Sequence, residues 1–496
     1  MKNKLIFLCA ALAVLLLTIV FQTADHADLN SRELQHTEPL PEEAAPEGGT
    51  HLPIISIDTG GQKVPGAPIS GGGGKGMAFE TGDNGETDIP VGFTVYSQDG
   101  GWNTTRSEPA FDGRALIRYR GNSSRRFDKK SYAVHLINQD GDYVNRSLLG
   151  LPAANEWVLN GPFLDRTLIR NYLCYNVAGQ VMPYAPRVRF VELYVDGAYT
   201  GLYLLVESIT MDPGRVELTK PKNEAVLTSW IVEMDRDYKA AHLLDSYAYY
   251  TLQMGISGFD MRYPGKNTIT EERFRFVQTD VSEVERTLYS LDADDPVEGY
   301  AADLDVRAFA QYFVLNEFFG NRDAGHFSTY YYRDVRGKVT PVVWDFNDAC
   351  DNDFSSIHNG EGFFIVSRPW FDALVTHKDF VDEVVRQYRF LRKSVLSDQY
   401  LLGFIDDTVA YLGDEVDRNY EVWGYVFDLE NICIEELQEE DKDNYLTPAE
   451  RNYTSYGEAV AQLKDWLTRR SRWLDDNIAS LYQYCQSSRN AENRLG

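Results

Sequence analysis

Asn321-Arg322-Asp323-Ala324-Gly325-His326-Phe327-Ser328 leads into Thr329-Tyr330-Tyr331-Tyr332-Arg333, and Val339-Thr340-Pro341-Val342-Val343-Trp344 leads out into Asp345-Phe346-Asn347-Asp348. The two inner runs are rich in β-branched and aromatic residues, and the polar stretch between them contains Gly337. That pattern predicts a β-hairpin. Antiparallel pairing brings the open ends of a hairpin together. The segments before Thr329 and after Trp344 are therefore neighbours in space, and Asp323 and Asp345 converge from separate loops at one edge of a sheet.

Two carboxylates placed this way suit phosphoryl transfer. One holds Mg²⁺ against phosphate oxygens; the other orients an attacking hydroxyl and accepts its proton. In protein kinases a base Asp is followed five residues later by a metal-binding Asn, then by a metal-binding Asp. Here Asp323 is followed five places on by Ser328, then by the hairpin, then by Asp345-Phe346-Asn347. Ser328 is a weaker ligand than Asn, and Asn347, Asp348 and His326 are the candidates to stand in for it. His326 reads more readily as a loop residue.

Working upstream, Arg118-Tyr119-Arg120-Gly121-Asn122-Ser123-Ser124 is a basic, glycine-containing turn between strands, and Lys129-Lys130 open the next strand. Backbone N–H groups and hydroxyls in such a turn can cradle phosphate, and a strand lysine can reach its oxygens. Lys130 shares a face with Tyr132 and Val134, and Lys129 shares one with Ser131, so spacing does not choose between them. Glu207 ends an apolar strand as a candidate hinge or charge partner. Gly71–Gly76 reads GGGGKG but places Gly76 where a P-loop needs Ser or Thr, so it reads as a turn.

Strands are expected at Leu52–Ile57, Val91–Tyr96, Ala115–Arg120, Ser131–Leu136 and Ser229–Met234, with a hairpin Arg189–Val195/Tyr199–Glu207 about Asp196-Gly197. A helix is expected over 166–179 with Asp165 as its cap. Asp303 or Asp305 caps another that runs to Phe319 and is apolar on two faces, hence buried, with Glu317 paired inside it. Helical patterns dominate 380–484. The fold class is α+β, sheet-rich first and largely helical later.

The 496 residues carry a net charge of −27, which excludes a nucleic-acid partner needing a basic footprint. With 43% hydrophobic and 13% aromatic residues the chain is globular. Lys2 and Lys4 precede an apolar run from Leu5 to Phe21, a signal peptide or membrane anchor that exports the rest. Residues 22–50 read as a disordered, solvated linker and 486–496 as a polar tail. Of five cysteines, Cys174, Cys350, Cys433 and Cys485 form either two disulfides or isolated thiols, and none has zinc spacing.

These residues together resemble the CotH (spore coat protein H) family of atypical secreted protein kinases. The matching stretches are Arg120–Ser124 with Lys129-Lys130-Ser131-Tyr132, Gly197–Tyr203 running to Glu207, Asn321-Arg322-Asp323, and Val343-Trp344-Asp345-Phe346. The resemblance covers about 51–485. It implies an atypical kinase-like fold, N-lobe-like to about 207 and C-lobe-like beyond, that moves the ATP γ-phosphate to Ser or Thr of coat or surface proteins with Mg²⁺ or Mn²⁺. It casts Asp323 as the catalytic Asp and Asp345, with Ser328, as metal ligands. Arg120, Gly121, Ser123, Ser124, Lys129 or Lys130, and Glu207 fall on the cofactor side. Two other readings stay open: a non-catalytic surface or coat binding module, and a metal-dependent hydrolase using the same carboxylates.

Overall fold

The computed structural model describes residues 29–69, 78–237, 240–252, 256–265, 267–352, 357–428 and 453–486. The leader, the Gly71–Gly76 stretch and residues 487–496 lie outside them. Leu34–Gly496 forms one compact unit, which holds all the elements named here.

Its first sheet is a closed barrel of β1 (Ile54–Asp58), β2 (Ile89–Tyr96), β3 (Phe111–Arg120), β4 (Ser131–Ile137), β5 (Glu156–Asn160), β6 (Val188–Val195) and β7 (Ala198–Glu207). Alternation builds it. Ile89, Val91, Phe93 and Val95 of β2 point inward to meet Val134, Leu136, Trp157 and Leu205. Closure comes from β1, antiparallel to β2 and parallel to β6. The Asp196-Gly197 turn carries φ of 50° and 80°, the double left-handed conformation a tight hairpin needs.

The second sheet holds β8 (Trp230–Arg236), β9 (Ser257–Tyr263), β10 (Thr329–Arg333) and β11 (Thr340–Val342), in the order β11-β10-β8-β9. The longer helices among the described residues are α1 (Arg170–Gly179), α2 (Glu271–Leu288), α3 (Val306–Phe319), α4 (Lys378–Leu391), α5 (Asp398–Leu412), α6 (Asp414–Trp423) and α7 (Tyr456–Asn477). Among the described residues the regular elements after β9 are helices apart from the β10–β11 hairpin, so the fold is α+β.

Helix α3 lies against this sheet. Asp305, not Asp303, caps it, accepting from the Ala308 N–H at 3.0 Å. Phe309 stacks on Tyr331 with centroids 5.7 Å apart. Glu317 is buried as expected and pairs with Arg470 of α7 at 3.0 Å.

The linker expectation is corrected from Leu34 onward. Gln35 is buried and exchanges hydrogen bonds with the Phe190 backbone, donating at 3.1 Å and accepting at 2.6 Å. Thr50 bridges Asn103 and donates to Glu415 at 2.9 Å. Polar side chains that complete distant backbone and carboxylate hydrogen bonds look, by composition alone, like solvated ones.

Cys174 and Cys350 are buried free thiols, and Cys485 is also free. Cys9 and Cys433 lie outside the described residues. Among the described residues no helix is long and apolar enough to cross a membrane.

Candidate functional site

The hairpin pairs as the sequence predicts, Tyr330 with Val342 and Tyr332 with Thr340. Its open ends are then stitched: the Asn321 side-chain amide donates to Asn316 Oδ1 at 3.0 Å and to the Asp345 carbonyl at 3.3 Å. Asp323 and Asp345 line one cavity of about 570 Å³ together with Ser328, Asn347 and Asp348. Ser328 and Asp345 both sit at left-handed φ, 48° and 54°, conformations that non-glycine residues hold at a cost and that cluster at functional sites.

The barrel contributes Arg118, Arg120, Gly121, Asn122, Ser124 and Arg125 to the lining. Gly121 has φ 106°, and a Cβ there would fall 1.8 Å from Ser124 Oγ, so only glycine lets the turn close. Ser123 belongs to the 3-10 turn Ser123–Arg126; its side chain lies outside the described atoms. The second sheet adds Glu233, Asp235, Arg236, Asp260 and Arg262, with Glu233 paired to Asp260 in the β8–β9 register.

Acidic and guanidinium groups both line the cavity, and Arg120 and Arg236 act on the carboxylates of Asp345 and Asp323. Burial raises the proton affinity of Asp323, and Asp345 and Asp235 add to it, while Arg236 and Arg368 oppose. Asp345 is raised by burial and by Asp235 against the pull of Arg120 and the Asn347 hydrogen bonds. Burial and then the neighbouring Arg118 and Arg120 push the Arg125 guanidinium down to about 10. Its Nε is buried with no hydrogen-bond partner. Acidic groups crowded together favour a cation, and guanidinium groups crowded together favour an anion.

Three residues singled out in the sequence stand off this cavity. Lys129 is fully buried, with its amine on Asn419 Oδ1 of α6 at 2.7 Å; burial holds its pKa well below the ordinary value. Lys130 donates to the Arg125 carbonyl at 2.7 Å and so braces the turn from behind. Neither lysine lines the cavity. Glu207 is fully buried at the end of β7, accepting from the Arg187 N–H at 2.9 Å and Tyr184 OH at 3.3 Å. It too lies off the cavity wall. The partner of Lys129 lies 290 positions away, where strand alternation cannot reveal it, whereas Lys130 is taken up by a carbonyl of the adjoining turn.

Of the stand-ins for the second metal ligand, Asn347 and Asp348 line the cavity and His326 does not. The sequence reading missed Arg125, Glu233, Asp235, Arg236, Asp260 and Arg262. A signal existed for some of them. Glu233 and Asp235 alternate in an otherwise apolar strand, and such charges on one face need a reason to be there.

Among the described residues no three His, Cys, Asp or Glu side chains are grouped so as to hold a metal ion by themselves. Mg²⁺ is commonly bound by one or two carboxylates plus substrate phosphates. Two buried, proton-hungry carboxylates in a cavity that arginines also line fit that mode of binding.

A cavity lined by both carboxylates and guanidinium groups suits a metal-bound polyphosphate. Residues 117–474 match the family described as CotH kinase protein. This covers most of the chain, and the chain belongs to that family. No curated protein matches it.

Proposed function

We propose that this chain is an exported, metal- and ATP-dependent kinase that phosphorylates Ser or Thr of coat or cell-surface proteins. The observation that carries the reading is the shared cavity, which Asp323 and Asp345 line together with Arg118, Arg120 and Arg125. The arginines hold the phosphates in place of a strand lysine, and guanidinium groups suit this because they donate in a planar fork. Asp345, with Asn347, Asp348 or Ser328, holds Mg²⁺ or Mn²⁺, which neutralises phosphate charge. Asp323 takes the proton as the acceptor hydroxyl oxygen bonds to the γ-phosphorus and the bond to the ADP oxygen breaks. Its raised proton affinity makes it a better base.

Ser328 supports a second reading. It lines the cavity where a kinase has Asn, so a surface binding module that keeps the scaffold without turnover is the alternative. Thermal shift with ATP and Mn²⁺, followed by phosphate transfer to a Ser/Thr protein, separates the two. Binding with transfer that Asp323→Asn abolishes supports the kinase. Binding without transfer supports the module. No ATP-dependent shift at all would contradict nucleotide handling.

A further inference from the structure

Helix α1 is hydrogen-bonded to the Asp345 loop through Asn171, Tyr175 and Arg170. Asn171 and Tyr175 are four residues apart and share a face. The Tyr175 hydroxyl accepts the Asp345 N–H at 3.0 Å. Asn171 Oδ1 accepts the Phe346 N–H at 2.9 Å, and its amide donates to Asn347 Oδ1 at 2.7 Å and to Asn160 Oδ1 at 3.2 Å. Three consecutive residues, Asp345, Phe346 and Asn347, are thereby held by two side chains of one helix. Both are buried, at 5% and 3% exposure.

What they hold is strained. Asp345 sits at φ 54°, and its carboxylate receives the Asn347 N–H at 3.5 Å and the Asn347 side-chain amide. Asn347 therefore orients the Asp345 carboxylate, and Asn171 orients Asn347. Helix α1 is itself anchored. Asp165 accepts the Arg170 N–H at 2.9 Å and pairs with the Arg170 guanidinium at 2.6 Å. Arg170 Nε reaches the Ala349 carbonyl, on the same loop, at 3.1 Å.

We propose that Asn171 and Tyr175 are positioning residues that set the metal-holding conformation of Asp345 through backbone and relay hydrogen bonds, without touching metal or nucleotide. This rests on the metal-nucleotide reading above. The relaxed loop lacking either clamp populates other conformations, and apparent metal affinity falls by the fraction lost.

The test is Mn²⁺ binding, followed by electron paramagnetic resonance of the free ion, with the full chain and a non-hydrolysable ATP analogue. Tyr175→Phe and Asn171→Ala are each expected to raise the half-saturating Mn²⁺ concentration about 5- to 10-fold, the scale of one net hydrogen bond. Nucleotide binding without metal should stay unchanged. Gln180→Ala is the control: it removes a 2.7 Å bond from the end of α1 to Tyr400, away from the loop, and is expected to leave Mn²⁺ binding unaltered. Tyr175→Phe with native Mn²⁺ binding, or Gln180→Ala shifting it equally, would overturn the clamp alone. No nucleotide-linked Mn²⁺ binding by the unaltered chain would overturn the clamp and the function reading together.

Discussion

The Asn321 side chain donates to the carbonyl oxygen of Asp345 at 3.3 Å, tying the loop that carries Asp323 to the loop that carries Asp345. Asn321 is itself buried and braced by Asn316, on the last turn of α3. The placement of Asp323 and Asp345 thus hangs from a helix end and a hairpin rather than from two free loops. Sites built on regular elements hold their geometry better than sites on loops alone.

Arginine, not lysine, is expected to govern nucleotide affinity. Arg125→Gln removes a guanidinium whose Nε is buried and unpartnered, and charge-assisted hydrogen bonds contribute about 1.5–3 kcal/mol. Affinity for ATP should fall roughly 10- to 100-fold. Lys129→Met should leave it within about 2-fold, since its amine serves Asn419 and a small change is all that indirect packing gives. Isothermal titration of both variants checks this. A large loss confined to Lys129→Met would reverse the assignment.

The lysine question shows where the sequence stopped informing. Alternation correctly separated Lys129 from Lys130 by face, yet neither face was the cavity. Asn419, which claims Lys129, lies 290 positions away, and pattern within one strand carries no information about such a partner. The hairpin, the Asp305–Phe319 helix and the convergence of Asp323 with Asp345 were legible because each depends on local pattern plus one turn. The closed barrel and the β8–β9 contribution were not, since both depend on long-range pairing, β1 with β6 and Glu233 with Asp260.

Stability should respond to pH through Glu192. It is fully buried on β6 and pairs with Arg418 at 3.1 Å. Burial outweighs that partner and pushes its pKa up to about 7 from 4.5. A carboxyl raised on folding contributes stability below its unfolded pKa, and that stability is lost as pH rises through the folded one. The loss spans about pH 4.5 to 7 and is on the order of 3 kcal/mol. Glu192→Gln removes this titration. The melting temperature of Glu192→Gln relative to the unaltered chain should therefore climb by a few degrees across that window. A flat difference would show that Glu192 titrates alike folded and unfolded.

The Glu317–Arg470 pair is expected to be a stability element. Arg470 donates to the Glu317 carboxylate and carbonyl, and to the Gly360 and Gly362 carbonyls at 2.9 and 2.7 Å. Breaking a buried pair by removing one partner costs about 3–5 kcal/mol. Arg470→Met should show this loss in urea unfolding. The double variant with Glu317→Gln should lose less than the two single losses combined. Full additivity would mean the two residues act independently.

The most direct measurement is transfer of labelled γ-phosphate from ATP, with Mg²⁺ or Mn²⁺, by the unaltered chain and by Asp345→Asn. Asn tolerates the left-handed backbone that Asp345 adopts, so the variant changes charge rather than fold. Metal-dependent labelling by the unaltered chain that falls at least about 100-fold in Asp345→Asn is the expected result. Equal labelling by both proteins would contradict the metal role assigned to Asp345.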